Sequence, residues 1–194
     1  RIKQRFRKKP NAASSAFSDD VQIERKPMEL RLIKLSDQPD AGIYNMLQEI
    51  PPFENGFVNP MHGKPFGEFR GWLQSCKADA EQKGLLDGWK VPESTYWLYD
   101  GDRPVGYGKI RHFLTEKLRK DGGSIGYAVR PSERRKGYGT AFLHLLLVQC
   151  AELNVPEVLL TIRKDNLPSQ KVALANSGII ERLSDETCYI RIPR

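Results

Sequence analysis

The chain has 194 residues, 39% of them hydrophobic, which is enough for the buried core of one domain, and its net charge is +7. No apolar run is long enough for a membrane-spanning helix, and no apolar segment follows the basic start, so neither a membrane protein nor a secretory signal is expected. The three cysteines are odd in number and widely spaced, which argues against a disulfide framework and against a metal site (Cys76, Cys150 and Cys188). A reducing, cytoplasmic location is expected.

Residues 1–26 form a basic segment. They hold eight Lys or Arg against three Asp or Glu, which is +5 of the net charge of +7. Clustered lysine and arginine attract phosphate, which indicates an arm for nucleic acid or for an acidic membrane surface. The alternative, a solvated tail without a fixed structure, is favoured because clustered charge is common in such tails. We therefore expect a flexible tail over 1–26 and one domain over 27–194, with nucleic-acid binding disfavoured.

The first half of the domain predicts a strand and two helices. Alternating side chains from Met28 to Leu35 indicate the strand, and apolar residues at helical spacing indicate helices over Asp40 to Ile50 and after Pro65. The Pro- and Gly-rich loop between the helices is of the kind that borders a pocket. The aromatic residues of the second helix, Phe66 and Phe69, are expected in the core.

A hairpin is predicted next, with strands over Thr95 to Tyr99 and Val105 to Phe113. Its second strand carries His112, whose side chain ordinarily titrates near neutral pH. Thr115 is expected to cap a short helical turn, which Asp121-Gly122-Gly123 ends before the next strand begins.

A strand-helix-strand unit forms the centre of the domain. In the strand from Ile125 to Val129, Gly126 and Ala128 leave one face almost bare, and a thin ligand is expected to lie against that face. A helix from Tyr138 to Leu153 and an apolar strand from Val158 to Ile162 follow, and the two strands are predicted to be parallel.

The loop between the first strand and the helix is basic and rich in glycine. Arg134, Arg135 and Lys136 precede Gly137 and Gly139, where the backbone can approach a ligand closely. The helix that follows directs unpaired N–H groups and the positive end of its dipole to the same place. The loop is therefore predicted to bind phosphate, although it matches neither the P-loop nor the dinucleotide-binding spacing.

Val129-Arg130-Pro131 followed by Arg134-x-x-Gly137-x-Gly139 resembles the acetyl-coenzyme A loop of the GNAT N-acetyltransferase superfamily, whose signature is [QR]-x-x-G-x-[GA] after a strand ending in V-x-P. Asn166-Leu167-Pro168-Ser169 looks like the N-x-x-[AS] helix start of that family, and Ser177-Gly178 looks like its closing glycine. The order of elements fits the family from about Met28 onward.

The resemblance implies an α/β (α+β) fold, a mixed and mostly antiparallel seven-stranded sheet flanked by helices around the central parallel unit. Ile179 to Leu183 and Thr187 to Ile192 are its predicted last two strands. It also implies an acyltransferase that moves an acetyl group from acetyl-CoA to a primary amine of a small molecule or protein, without a metal. The cofactor-binding residues that it implies are Ala128, Val129, Arg134, Arg135, Lys136, Gly137, Tyr138, Gly139, Thr140, Asn166 and Ser169.

Catalysis requires a base, because an amine acceptor is protonated at neutral pH. The family often supplies a tyrosine that protonates the departing thiolate, but Ala173 occupies that position here. The replacement candidates are Tyr189 on the last strand and His112 on the hairpin, and each has an alternative role in packing. A member that binds coenzyme A without turnover and a nucleic-acid-binding protein are the other hypotheses.

The charge distribution bears on the acceptor. Residues 35–102 hold eleven acidic and five basic residues, a net charge of −6, whereas residues 103–194 hold nine and sixteen, a net charge of +7. In the family the earlier part walls the acceptor site, so a cationic amine such as a polyamine, an aminosugar or a lysine side chain is predicted. The alternative is that these carboxylates lie on solvated faces. A monomer and a homodimer are both compatible with the sequence.

Overall fold

The computed structural model describes residues 28–36, 38–81 and 88–193. The basic segment 1–26 lies outside the described residues, so the flexible tail stays a prediction. In chain order the elements are β1 (Leu30–Lys34), α1 (Ala41–Glu49), β2 (Phe53–Glu54), β3 (Phe57–Val58), α2 (Phe66–Glu81), β4 (Glu93–Asp100), β5 (Arg103–Arg111), α3 (Glu116–Lys120), β6 (Ile125–Val129), a 3₁₀ turn (Pro131–Glu133), α4 (Tyr138–Glu152), β7 (Val158–Arg163), α5 (Leu167–Ala175), β8 (Ile179–Leu183) and β9 (Thr187–Ile192). None of the helices in these ranges is long and apolar enough to cross a membrane.

Side-chain caps define where three of the helices begin. The side chains of Asp40, Thr115 and Asn166 each accept a hydrogen bond from the backbone N–H three residues later, at 2.9, 3.2 and 3.3 Å. Such caps satisfy N–H groups that have no partner within the helix. The helix starts predicted at these three positions are therefore confirmed.

The strands form an antiparallel sheet of order β1-β4-β5-β6, a second sheet of order β7-β9-β8, and a separate ribbon of β2 and β3. This confirms the mixed GNAT-type fold, with antiparallel sheet flanked by helices. The seven strands that the sequence predicted are divided between the two sheets, and the ribbon lies in the segment predicted as a loop. His112 follows the last residue of β5 rather than lying on the strand.

Hydrogen bonds join the two sheets near the starts of β6 and β7. The backbone N–H of Ser124 donates to the carbonyl oxygen of Leu159 at 2.7 Å, and the Ser124 hydroxyl accepts from the N–H of Leu159 at 3.0 Å. Further along, the edges of the two strands do not pair in a ladder. This divergence opens a cleft between them.

Two apolar layers cover the first sheet. On one face, Gly106 and Gly108 of β5 let Phe142 of α4 lie directly on the strand, since a Cβ at either glycine would come within 2.7 Å of its ring. On the other face, α1 and α2 pack over Trp97 and Tyr107. The G-x-G pattern of Gly106 and Gly108 therefore has a packing role.

Two expectations about packing are corrected. Phe57 of β3 covers Gly126, where an added Cβ would lie 3.2 Å from the ring, so the bare face of β6 is occupied by the protein itself rather than open to a ligand. Phe66 was expected in the core but is 47% exposed, because α2 begins there; its ring packs against those of Tyr44 and Phe69.

Candidate active site

The cleft between β6 and β7 has a volume of about 850 Å³. Residues of the ribbon, of the glycine-rich loop and of the start of α5 line it. At one end lies the loop before α4. We call the other end, near the start of β6, the distal end; Lys109, Arg111, Asp121 and Thr161 line it.

The backbone of β6 presents alternate peptide groups to the cleft. The carbonyl of Ser124 and the N–H of Arg130 bond to β5, at 2.9 and 2.8 Å. Because hydrogen-bonding direction alternates along a strand, the N–H groups of Tyr127 and Val129 face the open edge of β6. The N–H of Ala128 faces β5 instead. Of the two predicted cofactor residues on this strand, Ala128 and Val129, it is therefore Val129 whose N–H can donate to a ligand.

The glycine-rich loop turns sharply into α4. Gly137 is the N-cap residue with a φ of 93°, a left-handed conformation that favours glycine, and Arg135 has a φ of 63°. The N–H groups of Tyr138, Gly139 and Thr140 have no acceptor within the helix, since the first intrahelical bond runs from the N–H of Ala141 to Gly137. These groups and the dipole of a 15-residue helix favour an anion at this end of the cleft.

The predicted cofactor residues come together here with one exception. All of them line the cleft except Lys136, whose Nζ pairs with the carboxylate of Glu133 at 2.8 Å. Tyr138 contributes its backbone, because its hydroxyl turns away and donates to Asp100 at 2.5 Å. Binding of a cofactor by these residues remains a prediction, which their common location supports.

The two arginines of the loop differ in their contacts. The guanidinium of Arg134 donates to the carbonyl of Val129 at 3.1 Å and to both carboxylate oxygens of Glu54, at 3.0 and 2.5 Å. It therefore fastens the β2–β3 ribbon to the loop. Arg135 is exposed and has no ion-pair partner among the described residues, so its charge is available to a ligand.

The start of α5 closes the cleft on the side of β7. The side chain of Asn166 caps the helix by accepting from the N–H of Ser169. The Ser169 hydroxyl lies 3.4 Å from that of Tyr127, and burial raises the pKa of Tyr127. Tyr127 and Ser169 thus place two hydroxyl groups in the cleft near the start of α5.

The two catalytic candidates of the sequence do not line the cleft. Nε2 of His112 lies 2.9 Å from the hydroxyl of Ser94, and burial lowers the pKa of His112. The hydroxyl of Tyr189 donates to the carbonyl of Lys120 at 3.0 Å, and the guanidinium of Arg182 lies 3.7 Å from its ring centre. Both residues have suitable chemistry, but tertiary packing directs them elsewhere.

Ala173 lies at the position where the resemblance expects a tyrosine. It is fully buried in α5, and its carbonyl accepts from the N–H of Gly178 at 3.0 Å. An added Cβ at Gly178 would come within 2.7 Å of the same carbonyl, so the turn after α5 requires glycine. No proton donor is available from this position.

Sequence reasoning missed the charged residues of the distal end. Lys109 and Arg111 alternate on β5 and share Glu93 of β4, with N–O distances of 3.2 and 3.4 Å. Asp121 follows α3 and, within the described ranges, is the only carboxylate of the cleft wall without an ion pair. The period-two spacing of Lys109 and Arg111 is the signal that identifies their common face, but it does not reveal Asp121.

The carboxylates that led to the prediction of a cationic acceptor have partners. Among the described acidic residues of 35–102, Glu54 is the one that lines the cleft, and it is paired with Arg134. Further pairs neutralise this half of the domain: Glu49 with Arg130, Glu68 with Lys64, Asp79 with Lys90, Glu93 with Lys109 and Arg111, and Asp102 with Arg31. The net charge of −6 is thus largely compensated locally, and the cationic acceptor stays a prediction without support from these contacts.

One of these pairs joins α1 to the end of β6. Glu49 accepts from Arg130 at 2.5 Å and from the Ser132 hydroxyl at 2.8 Å, and the hydrogen bond from Arg130 lowers the pKa of Glu49 to about 2. Since the pKa in the folded protein lies below the ordinary value of 4.5, the stabilisation is present above pH 4.5 and is lost as the pH falls toward 2.

We therefore expect Glu49→Gln to lower the free energy of unfolding at pH 7 by about 1 kcal/mol, since the side chain is partly exposed to solvent screening. Urea titrations at pH 7 and at pH 3.5 measure this difference, and the gap between the variant and the wild type should be smaller at pH 3.5. A gap that is equal at both pH values would show that the carboxylate charge does not contribute.

Known proteins share this architecture. A profile of the acetyltransferase (GNAT) family matches residues 59–178. The structure of Campylobacter jejuni N-acetyltransferase PseH superposes with a TM-score of 0.55 at 13% identity, over 87% of this chain and 99% of that one. A second PseH structure contains acetyl coenzyme A.

Two further structures have the same fold. Mycobacterium smegmatis RimJ, in complex with CoA-disulfide, gives a TM-score of 0.61 at 18% identity, over 84% of this chain and 81% of that one. An acetyl transferase of Salmonella typhimurium that modifies the N-terminal serine of ribosomal protein L7/L12 gives a TM-score of 0.55 at 14% identity, over 84% of this chain and 91% of that one. Comparison with curated protein sequences gives no match.

The divided sheet, and the glycine-rich loop that opens into its cleft, are the architecture of an acetyltransferase. The match to the family profile covers more than half of the chain. The chain belongs to the acetyltransferase (GNAT) family.

Proposed function

We propose that the protein transfers an acetyl group from acetyl-CoA to a primary amine of a small molecule or protein. The observation that carries this proposal is the loop from Arg134 to Thr140, which directs free N–H groups of α4 into the cleft between β6 and β7. Several structural relatives are also named as N-acetyltransferases, among them PseH.

The loop fits the phosphate groups of a coenzyme. An added Cβ at Gly137 would meet no atom nearer than the Met28 side chain at 4.0 Å, so the space in front of the loop is open. Arg135 adds a free positive charge, and the unpaired N–H of Val129 on the edge of β6 suits the amide groups of an extended chain. We infer that acetyl-CoA lies along the edge of β6, with its phosphates at the loop and its thioester toward the distal end.

In the reaction, the amine nitrogen attacks the thioester carbonyl, a C–N bond forms, and the C–S bond breaks. The N–H of Tyr127, which also faces the open edge of β6 and lies nearer the distal end than that of Val129, is the donor we assign to the developing oxyanion. We assign Asp121 as the proton acceptor, directly or through one water, because it lines the cleft and its carboxylate has no ion-pair partner among the described residues. The departing thiolate takes its proton from solvent, since Ala173 supplies none.

Binding of acetyl-CoA is tested by Gly137→Val, which we expect to weaken the affinity by about tenfold or more, equivalent to about 1.4 kcal/mol. A β-branched residue disfavours the φ of 93° that aims the first N–H groups of α4 at the cleft. Isothermal titration calorimetry with acetyl-CoA measures the change.

Gly63→Val is the matched control. Gly63 also has a positive φ, of 74°, and open space around its Cβ position, but it does not line the cleft. We expect this variant to lose thermal stability and to bind acetyl-CoA as the wild type does. Equal affinities in the wild type and in Gly137→Val would contradict the assignment of the loop. Binding without release of free thiol in any acceptor assay would identify a protein that binds the coenzyme without turnover.

A further inference from the structure

The distal end of the cleft holds a small, largely dehydrated cluster of charges. The side chains of Lys109 and Arg111 are 21% and 22% exposed, and that of Glu93, which lies between them, is 20% exposed. Two cations thus share one carboxylate, and the cluster carries a surplus positive charge where solvent screening is weak. Burial lowers the pKa of Lys109, but neighbouring groups including Glu93 outweigh it, so the pKa is raised overall and the ammonium persists at neutral pH.

The cluster is held rigidly and still has donors to spare. Nη1 of Arg111 donates to the carbonyls of Gly122 and Gly123, at 2.7 and 2.9 Å, and its Nε faces Glu93. Nη2 of Arg111 has no partner among the described residues. The Lys109 ammonium has three N–H groups, and its neighbours are Glu93 at 3.2 Å and the Tyr107 ring, whose centre lies 5.5 Å from Nζ. Fixed donors of this kind bind an anion at low cost in conformational entropy.

Asp121 places a negative charge beside this surplus positive charge. It directly precedes Gly122, whose carbonyl holds Arg111, and all three residues line the cleft. A simple polyamine would satisfy Asp121 but would face Lys109 and Arg111 with like charge. An acceptor with both an ammonium and a carboxylate complements Asp121 with the first group and Lys109 and Arg111 with the second.

We propose that the acceptor is an amino acid-like amine, whose carboxylate binds to Lys109 and Arg111 and whose ammonium faces Asp121. This inference rests on the proposed function, since it names the substrate class of the same site. It differs from the cationic acceptor that the charge distribution of the sequence predicted.

The test compares the common L-amino acids with their α-amides, which keep the amine and side chain but lack the carboxylate. With acetyl-CoA as donor, release of free thiol gives kcat/KM for each pair. We expect the best acids to exceed their amides by about tenfold or more, at low salt where charge interactions are least screened. Polyamines and aminosugars in the same panel should react more slowly than these acids.

Variants assign the preference to the cluster. Lys109→Met keeps the length of the side chain without its charge, and it should reduce the preference for the acid to within about threefold, whereas Lys109→Arg should retain it. Lys120→Met, an exposed lysine of α3 outside the cleft, should behave as the wild type. Stabilisation of each variant by acetyl-CoA in a thermal-shift assay reports that it is folded.

Amides that react as fast as the acids, or faster polyamines, would overturn the inference and leave the acetyltransferase intact. A preference that persists in Lys109→Met would remove Lys109 from the site. The wild-type comparison decides the substrate class even if Lys109→Met does not fold. If no member of the panel releases thiol, the amino acid-like acceptor is overturned, and a simultaneous absence of stabilisation by acetyl-CoA would overturn the proposed function as well.

Discussion

The Asp121→Asn variant is expected to turn over about 100-fold more slowly than the wild type, with its affinity for acetyl-CoA changed by less than about twofold. Asparagine keeps the size of the side chain but cannot take the proton of the acceptor ammonium. The effect should appear in kcat, because the proton must leave before nitrogen can attack. Thiol release at saturating acetyl-CoA measures kcat, and calorimetry measures the affinity.

Asp185→Asn provides the control, since Asp185 is an exposed carboxylate in the turn between β8 and β9, outside the cleft. It should retain the activity of the wild type. An unchanged kcat in Asp121→Asn removes Asp121 from catalysis. A loss of turnover in His112→Ala or Tyr189→Phe, with folding intact, would return the catalytic role to the candidates that the sequence suggested.

The second large effect concerns the junction of the two sheets. Gly123→Val is expected to lower the free energy of unfolding by about 3 kcal/mol or more, which combines the strain of a left-handed conformation with overpacking. Gly123 has a φ of 61°, and an added Cβ would lie 2.6 Å from the carbonyl oxygen of Leu159 and 3.0 Å from the N–H of Thr161. These are backbone atoms of β7, which cannot move aside without separating the strands.

Gly101→Val separates these two contributions, because Gly101 in the β4–β5 turn has a similar φ of 58° and no atom within 4 Å of its Cβ position. This variant should lower the free energy of unfolding by the conformational strain alone, about 1–2 kcal/mol. Urea denaturation measures both variants. If Gly123→Val is no less stable than Gly101→Val, the close approach of β6 and β7 at this point does not limit the fold.

Local pattern predicted most of the elements. The bounds of β8 and β9 agree with those expected from the resemblance to the family, and those of α4 agree to within one residue, because its apolar segment follows directly on the glycine-rich loop. The side-chain caps of α1, α3 and α5 are likewise local, since each joins residues only three positions apart. The two-residue strands of the ribbon were missed because they are too short to show a period.

The glycine-rich loop was recognisable from sequence for the same reason. Its function depends on a run of consecutive residues at the start of one helix, so spacing alone identifies it. Lys136 shows the limit of that reasoning, because its side chain pairs with Glu133 instead of facing the cleft.

The sequence by itself determined the family, the order of the elements and the loop at the start of α4, since these follow from residues close together in the chain. Only the tertiary structure decided that Phe57 covers Gly126 and that His112 and Tyr189 lie outside the cleft. It also brought Lys109, Arg111 and Asp121 to one wall and paired Glu54 with Arg134, 80 positions apart. A charge acts through its nearest partner in space, and sequence distance does not report which partner that is.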